Sequence, residues 1–290
     1  MTPAHVTPTH AIPPWVGGDV TSRATCVLAP NPGAMTLEGT NTWVLMEPGS
    51  TEVVVVDPGP LDEHHLQRVL DLVALRGARV ALTLLTHGHW DHAESAGRFA
   101  ELTGSPVRAL GPGHDDLADR DRLTVGGLEL AVVATPGHTS DSLSFLLTAE
   151  NALLTGDTIL GDGTSVVAWP DGELAAYLLS LQRIEAMTGS REVTQILPGH
   201  GRTVPDVAGV VRHYIDHRRV RLEQVRTAVA AGAADADAVV AAVYADVPRE
   251  VWPAARLSVL AQLDYLRLHP HTGRDANSVG KGRRVSGRGA

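Results

Sequence analysis

Apolar and polar positions change rhythm several times along this chain, and each change marks an element. Residues 42–46 and 53–57 are short β-branched, apolar runs, and the intervening Glu47-Pro48-Gly49-Ser50 has hairpin-turn chemistry, so they predict two strands. Over residues 62–76, Leu66, Val69, Leu70 and Val73 fall at helical spacing, with Asp62 placed to cap the start and Gly77 to close the end. Another apolar run at 80–85 reads as a buried strand, and 92–102 as a short helix. Strands are predicted again at 107–110, 128–134, 142–147, 152–155 and 193–197, with a helix over 171–187. Two strand-rich stretches, each followed by helices, predict two packed sheets with helices outside, a four-layer αββα sandwich.

Beyond His200 the rhythm becomes almost purely helical, over 210–231, 237–245 and 250–268. The expected organisation is a poorly ordered, Pro-rich segment at 1–20, a catalytic domain at 21–205, a small appended helical domain at 206–270, and a disordered Gly/Arg-rich tail at 271–290.

Composition narrows the class. The chain has 290 residues, 43% hydrophobic and 20% charged, as in an ordinary soluble globular protein. No apolar run is long enough to span a bilayer, and the start lacks the basic and apolar parts of a secretory signal, so a cytoplasmic address is expected. Cys26 is the only cysteine, which excludes an internal disulfide and a thiolate metal cluster and leaves it as a small buried hydrophobe. The net charge of −9 counts against broad polyanion binding.

Directly after the strand at 80–85 comes Thr86-His87-Gly88-His89-Trp90-Asp91-His92, three imidazoles and a carboxylate within seven residues. Such a cluster suits a borderline divalent ion, zinc above others. Three further residues stand at predicted strand ends or glycine turns: His138 in Thr-Pro-Gly-His-Thr, Asp157 in Thr-Gly-Asp-Thr and His200 in Leu-Pro-Gly-His-Gly. The expected set is two zinc ions, one held by His87, His89 and His138, the other by Asp91, His92 and His200. Asp157 would bridge them, since a carboxylate has two oxygens. Between two such ions a water loses a proton near neutral pH, giving a hydroxide nucleophile, and Asp91 is suited to orient it and accept a proton. Asp57, beyond its strand, is placed to hold one imidazole from behind.

These residues resemble the metallo-β-lactamase superfamily over roughly residues 25–205, matching its seven metal-binding positions in order, with Asp57-Pro58-Gly59 similar to its early acidic turn. The resemblance implies the αββα fold and hydrolysis. Asn31-Pro32-Gly33, the stretch from Thr36 to Thr42, the turn from Leu160 to Thr164 and the C-terminal helices look like the β-lactamase-like protein 2 branch, whose animal members are zinc endoribonucleases acting on single-stranded RNA. That branch implies a winged-helix-like unit beside the active site. Zinc β-lactamases usually carry a cysteine where this chain has Asp157, so antibiotic hydrolysis is disfavoured.

The expected substrate is therefore a single-stranded RNA phosphodiester, with a small ester or thioester, as in the glyoxalase II type, as the alternative. A β-lactam hydrolase or a non-catalytic metal-binding protein stands further back. Five arginines at 212, 218, 219, 221 and 226 offer a basic helix for phosphates, or else an ordinary solvated face. His64 and His65 are expected in solvent, His114 in an exposed loop that could approach the pocket mouth, and His213 and His217 on a helix surface. The five tryptophans are expected to be mainly packing residues, with Trp90 as a possible wall of the pocket.

Overall fold

The structure is a computed structural model that describes residues 13–111 and 116–270. His114 and the tail at 271–290 lie outside the described residues, as do residues 1–12.

Six strands form the first sheet in spatial sequence: β1 (Gly18–Asp19), β2 (Ala24–Leu28), β3 (Asn41–Leu45), β4 (Glu52–Val56), β5 (Arg79–Leu84) and β6 (Val107–Arg108). Its first four strands are antiparallel neighbours, whereas β4, β5 and β6 run parallel, joined by α1 (Glu63–Leu75) and by α2 (Trp90–Ala93) with α3 (Ala96–Thr103). The second sheet is formed by β7 (Arg122–Val125), β8 (Leu128–Ala134), β9 (Leu143–Leu147), β10 (Ala152–Gly156) and β11 (Gln195–Pro198), laid side by side in the order β11-β10-β9-β8-β7. Here only β10 and β11 are parallel, with α4 (Leu174–Gly189) crossing between them.

The continuous valines of β4 show why two faces are covered. Val54 and Val56 enter the core between the sheets with Trp43, Phe145 and Leu154, while Val53 and Val55 pack outward against Leu66, Val69 and Val73 of α1. A strand buried on both faces needs apolar side chains at every position rather than at alternate ones. Each such valine stabilises the fold by about 1.5–3 kcal/mol relative to exposure. Asp62 caps α1 as expected, accepting from His65 N–H at 2.9 Å.

The outer face of the second sheet is covered by α4 and by α5 (Val207–Ala230), through Leu153, Tyr177, Leu181, Val211 and Tyr214. Past it, α6 (Ala236–Val243) and α7 (Trp252–Leu268) close a small core of their own with α5, around Val225, Val239, Val240 and Val259. Among the described residues no strand follows β11. No helix among the described residues is long and apolar enough to cross a membrane.

The structure corrects several expectations. The polar start does not run to residue 20, because Gly18 and Asp19 pair with β2 and the Trp15 indole donates to Asn41 Oδ1 at 2.8 Å. The helix expected at 92–102 breaks at Glu94 and Ser95, where Ser95 turns to donate both N–H and hydroxyl to Gly59 O. His65 is fully buried, its Nε2 2.8 Å from the Thr42 hydroxyl, while its neighbour His64 is exposed. β2 and β7 carried too few alternating residues to be read as strands.

Candidate metal centre

Every expected ligand sits just past the C-terminal end of a strand, His87 to His92 after β5, His138 after β8, Asp157 after β10 and His200 after β11, and Asp57, expected behind an imidazole, follows β4 in the same way. Strand ends are where an α/β fold gathers projecting side chains into a crevice. The two sheets are tied together there. The side-chain amide of Asn41 in β3 donates to Pro198 O (2.9 Å) and Gly201 O (2.8 Å), and Leu143 N–H donates to Thr86 O (2.7 Å). These bonds bring His200 of one sheet against His92 of the other, Nε2 to Nε2 at 3.2 Å.

The seven groups converge in two sets. His87, His89, His138 and Asp157 form one, and Asp91, His92 and His200 the other, with the candidate ligand atoms of each set within 4.8 Å of one another. Asp157 points one oxygen toward each set. Oδ1 is 3.4 Å from both His92 and His200, and Oδ2 is 3.7 Å from His138.

The outer nitrogens decide what the inner ones can do. His87 Nδ1 faces the Thr86 hydroxyl (3.0 Å), His92 Nδ1 faces Asp57 Oδ2 (2.8 Å), His138 Nδ1 faces Val166 O (2.5 Å) and His200 Nδ1 faces Gly39 O (3.1 Å). Carbonyl and carboxylate oxygens only accept, so those outer nitrogens carry the protons. In neutral imidazoles the lone pairs therefore point inward, where His89 Nδ1 also lies 3.1 Å from His87 Nε2 and 3.0 Å from His138 Nε2. Bare nitrogens facing one another repel unless a cation stands between them. Asp157 Oδ1, buried without a hydrogen-bond donor, makes the same demand. Nitrogens and carboxylates in this number fit borderline divalent ions.

Asp57 orients both sets. Its Oδ1 accepts Thr86 N–H at 2.7 Å, and its Oδ2 accepts the Thr86 hydroxyl at 2.7 Å besides the His92 ring. The Thr86 oxygen is thereby left to receive the His87 proton. Asp57 adopts a left-handed backbone, φ 53°, which Asp tolerates better than most residues. Gly199 permits a close approach to the ligands, since a Cβ there would stand 2.6 Å from Asp157 Oδ1 and 2.7 Å from His92 Cε1.

Electrostatics divide the two halves. Burial, with the charge of His92 next, holds His87 well below the ordinary imidazole value, and burial and the neighbouring His89 hold His138 down to about 4. Burial works against His92 and His200 too, but carboxylates outweigh it. Asp157, Asp57 and Asp91 raise His92 well above the ordinary value, while Asp157 and Asp91 raise His200 to about 9. Burial opposes ionisation of Asp91, yet His92 and His200 lower it to about 2.

A cleft of about 290 Å³ opens from His138 and Asp157 toward the C-terminal helices. Its walls include Leu37, Leu160, Val166, Val247 and Val251, so the two loops singled out in the sequence, around residues 31–42 and 160–164, border the cleft. Arg218 is not the solvated or phosphate-collecting residue expected. It is 3% exposed, donates to Ser165 O and lies over the Tyr177 ring. Arg219 does face solvent, 3.6 Å from Asp216. Trp43 is core, whereas Trp90 is 59% exposed and does not wall this cleft. His217 lines the cleft rather than the outer surface. Sequence reasoning missed Thr86, Thr40 and Ser165; only the first carried a signal, by preceding His87.

A two-sheet αββα sandwich with paired His and Asp sets at its strand ends defines a class of metal-dependent hydrolases. The chain belongs to the metallo-beta-lactamase superfamily, whose sequence pattern matches residues 35–122 and 110–200. The Beta-lactamase associated winged helix domain matches residues 236–267, which span α6 and most of α7. Among relatives, a Beta-lactamase-like protein 2 homolog from Drosophila melanogaster is 32% identical, covering 85% of this chain and 88% of its own. An Atrochrysone carboxyl ACP thioesterase from Aspergillus fumigatus is 33% identical, covering 83% and 80%. A Beta-lactamase domain protein from Burkholderia ambifaria shares the fold with a TM-score of 0.76 and 24% identity, over 91% of each chain.

Proposed function

We propose that this chain is a two-metal hydrolase of activated carboxylic esters, and that its substrate is an acyl thioester. The observation that carries the substrate class is the cleft beside His138 and Asp157, whose surface is more apolar than polar and suits an acyl chain better than a stack of bases. The RNA expectation came from the branch resemblance and from a basic helix of Arg212, Arg218, Arg219, Arg221 and Arg226, of which Arg218 is turned into the protein and Arg219 lies near Asp216. The thioesterase named among the relatives supports the same choice.

His87, His89 and His138 would hold one zinc ion, Asp91, His92 and His200 the other, with Asp157 shared. When bound, the ions supply a Lewis acid for the scissile carbonyl and make water acidic enough to attack near neutral pH. The protein's own groups do the rest. The outer partners of the imidazoles fix the ring orientations before substrate arrives, so little reorganisation is left for the reaction. Asp91, its Oδ2 within 3.3 Å of the Thr40 hydroxyl, is ionised at neutral pH and receives the proton released by the attacking water. Attack forms the new C–O bond, the C–S bond breaks, and the thiolate leaves with the sulfur's electron pair.

The test is a side-by-side assay of acyl thioesters, single-stranded RNA and a β-lactam, on protein stripped with chelator and then restored with zinc, manganese or iron. Thioester hydrolysis that disappears on stripping and returns with about two ions per chain is expected. Hydrolysis unaffected by stripping ends the metal mechanism, and cleavage of RNA alone ends the thioester assignment.

A further inference from the structure

Along α5 the arginines divide by direction. Arg219 and Arg226 have acidic neighbours, Asp216 and Glu223, and Arg212 is exposed to solvent. Arg218 and Arg221, one turn apart, both line the cleft, and among the described residues neither has a carboxylate within ion-pair distance. Arg218 is a buried cation whose Nε has no hydrogen-bond partner. Arg221 uses one nitrogen on Val243 O (3.0 Å) and Gln224 Oε1 (3.1 Å), with its guanidinium 4.5 Å above the Tyr244 ring, which leaves Nε and the other terminal nitrogen unengaged.

A buried, unpaired cation is costly, and α5 places the buried Arg218 beside the half-buried Arg221 in one cleft. The carboxylates of that cleft are already committed. Asp157 belongs to the ligand sets, and Asp162 lies 3.5 Å from Arg202. His217, immediately before Arg218 in sequence, reports the same field: burial first, then the charges of Arg218 and Arg221, hold it down to about 4, and its Nδ1 is buried without a partner. The helix thus presents uncompensated positive charge to the cleft.

We infer that Arg218 and Arg221 form a subsite for a carboxylate on the acyl part of the substrate, so that the enzyme selects acyl chains ending in an acid. This rests on the thioester reading above. Arg221, with two free nitrogens, contacts the carboxylate, and Arg218 behind it supplies charge.

The experiment compares glutaryl and hexanoyl thioesters of N-acetylcysteamine, with glutarate and hexanoate binding to the metal-replete protein measured by titration calorimetry. The wild type is expected to favour the glutaryl ester in kcat/KM and to bind glutarate more tightly. Arg221→Met should shrink that ratio roughly 10- to 100-fold, the worth of a hydrogen bond to a charged group. Arg221→Lys, which keeps the cation and packs the same space, should fall between, while Arg219→Ala leaves the ratio unchanged. A wild type without preference, or a ratio that Arg221→Met does not move, overturns the subsite and leaves thioester hydrolysis standing. If neither ester is hydrolysed the thioester reading fails, and calorimetry then decides alone: glutarate binding no tighter than hexanoate, or indifferent to Arg221→Met, removes the subsite as well.

Discussion

Asp57 Oδ2 lies 2.8 Å from His92 Nδ1 and accepts the Thr86 hydroxyl that in turn receives the His87 ring proton, so one carboxylate sets the orientation of an imidazole in each ligand set. Asp57→Asn keeps the shape but offers an amide N–H where an acceptor is required. Metal affinity is expected to fall about 10- to 100-fold, as for other partners behind metal-bound imidazoles. Competitive titration with a chromogenic chelator measures this, and affinity equal to wild type would show that the imidazoles hold themselves.

Gly199 makes a steric prediction. Gly199→Ala places a methyl group against Asp157 Oδ1 and the buried His92 ring. The clash is worth about 1–3 kcal/mol, and it falls on the ligands rather than on the sheets. Metal content by mass spectrometry should drop below that of wild type while far-ultraviolet circular dichroism is retained. A variant carrying the wild-type metal complement contradicts the close packing.

Acid sensitivity should trace in part to His65. Burial first, and then the charge of Arg68, lower it to about 4, and its Nδ1 is buried without a hydrogen-bond partner. Between pH 6.5 and 4 the unfolded chain binds this proton and the folded chain does not, so stability is whole above that window and declines as pH falls through it. The loss approaches roughly 3 kcal/mol at the lower end. Urea midpoints of the wild type and His65→Gln, compared across that range, should show a shallower decline for the variant, because contributions from the metal centre are common to both. Parallel profiles would remove His65 from the account.

The appended helices reach the metal centre through one loop. Arg218 of α5 donates to Ser165 O, and Ser258 of α7 accepts from Val167 N–H at 3.4 Å, which fixes Val166, whose carbonyl holds His138. Arg218→Met should therefore weaken metal binding at the His138 set. Thermal stability of the stripped protein should change little, since removing an unpaired buried charge offsets the lost hydrogen bond. Equal metal affinity in the variant and the wild type would show that the loop holds its shape unaided.

Much of this molecule was readable from residue order. Period-2 and period-3.6 runs located most of the elements, and the αββα layering followed from the order of strands and helices, since an apolar strand such as β4 must be covered on both faces. The His87–His92 cluster was legible because its donors are near neighbours in sequence. His138, Asp157 and His200 stood out because each follows a strand at a glycine turn. What escaped were elements too short to show a period, such as the two-residue β1, and residues whose role depends on what faces them. Arg218 reads as a surface charge in sequence and is buried in the fold, and His65 likewise, because helical periodicity locates a face without naming what covers it. Residue order thus determined which groups are present and the local geometry that projects them. Only the packing of sheet on sheet, through Asn41 and Leu143, decided that ligands a hundred residues apart meet, which nitrogen of each imidazole turns inward, and that two arginines of α5 end in the cleft. Contacts between distant segments have no sequence period, so they exist only once the chain has closed on itself.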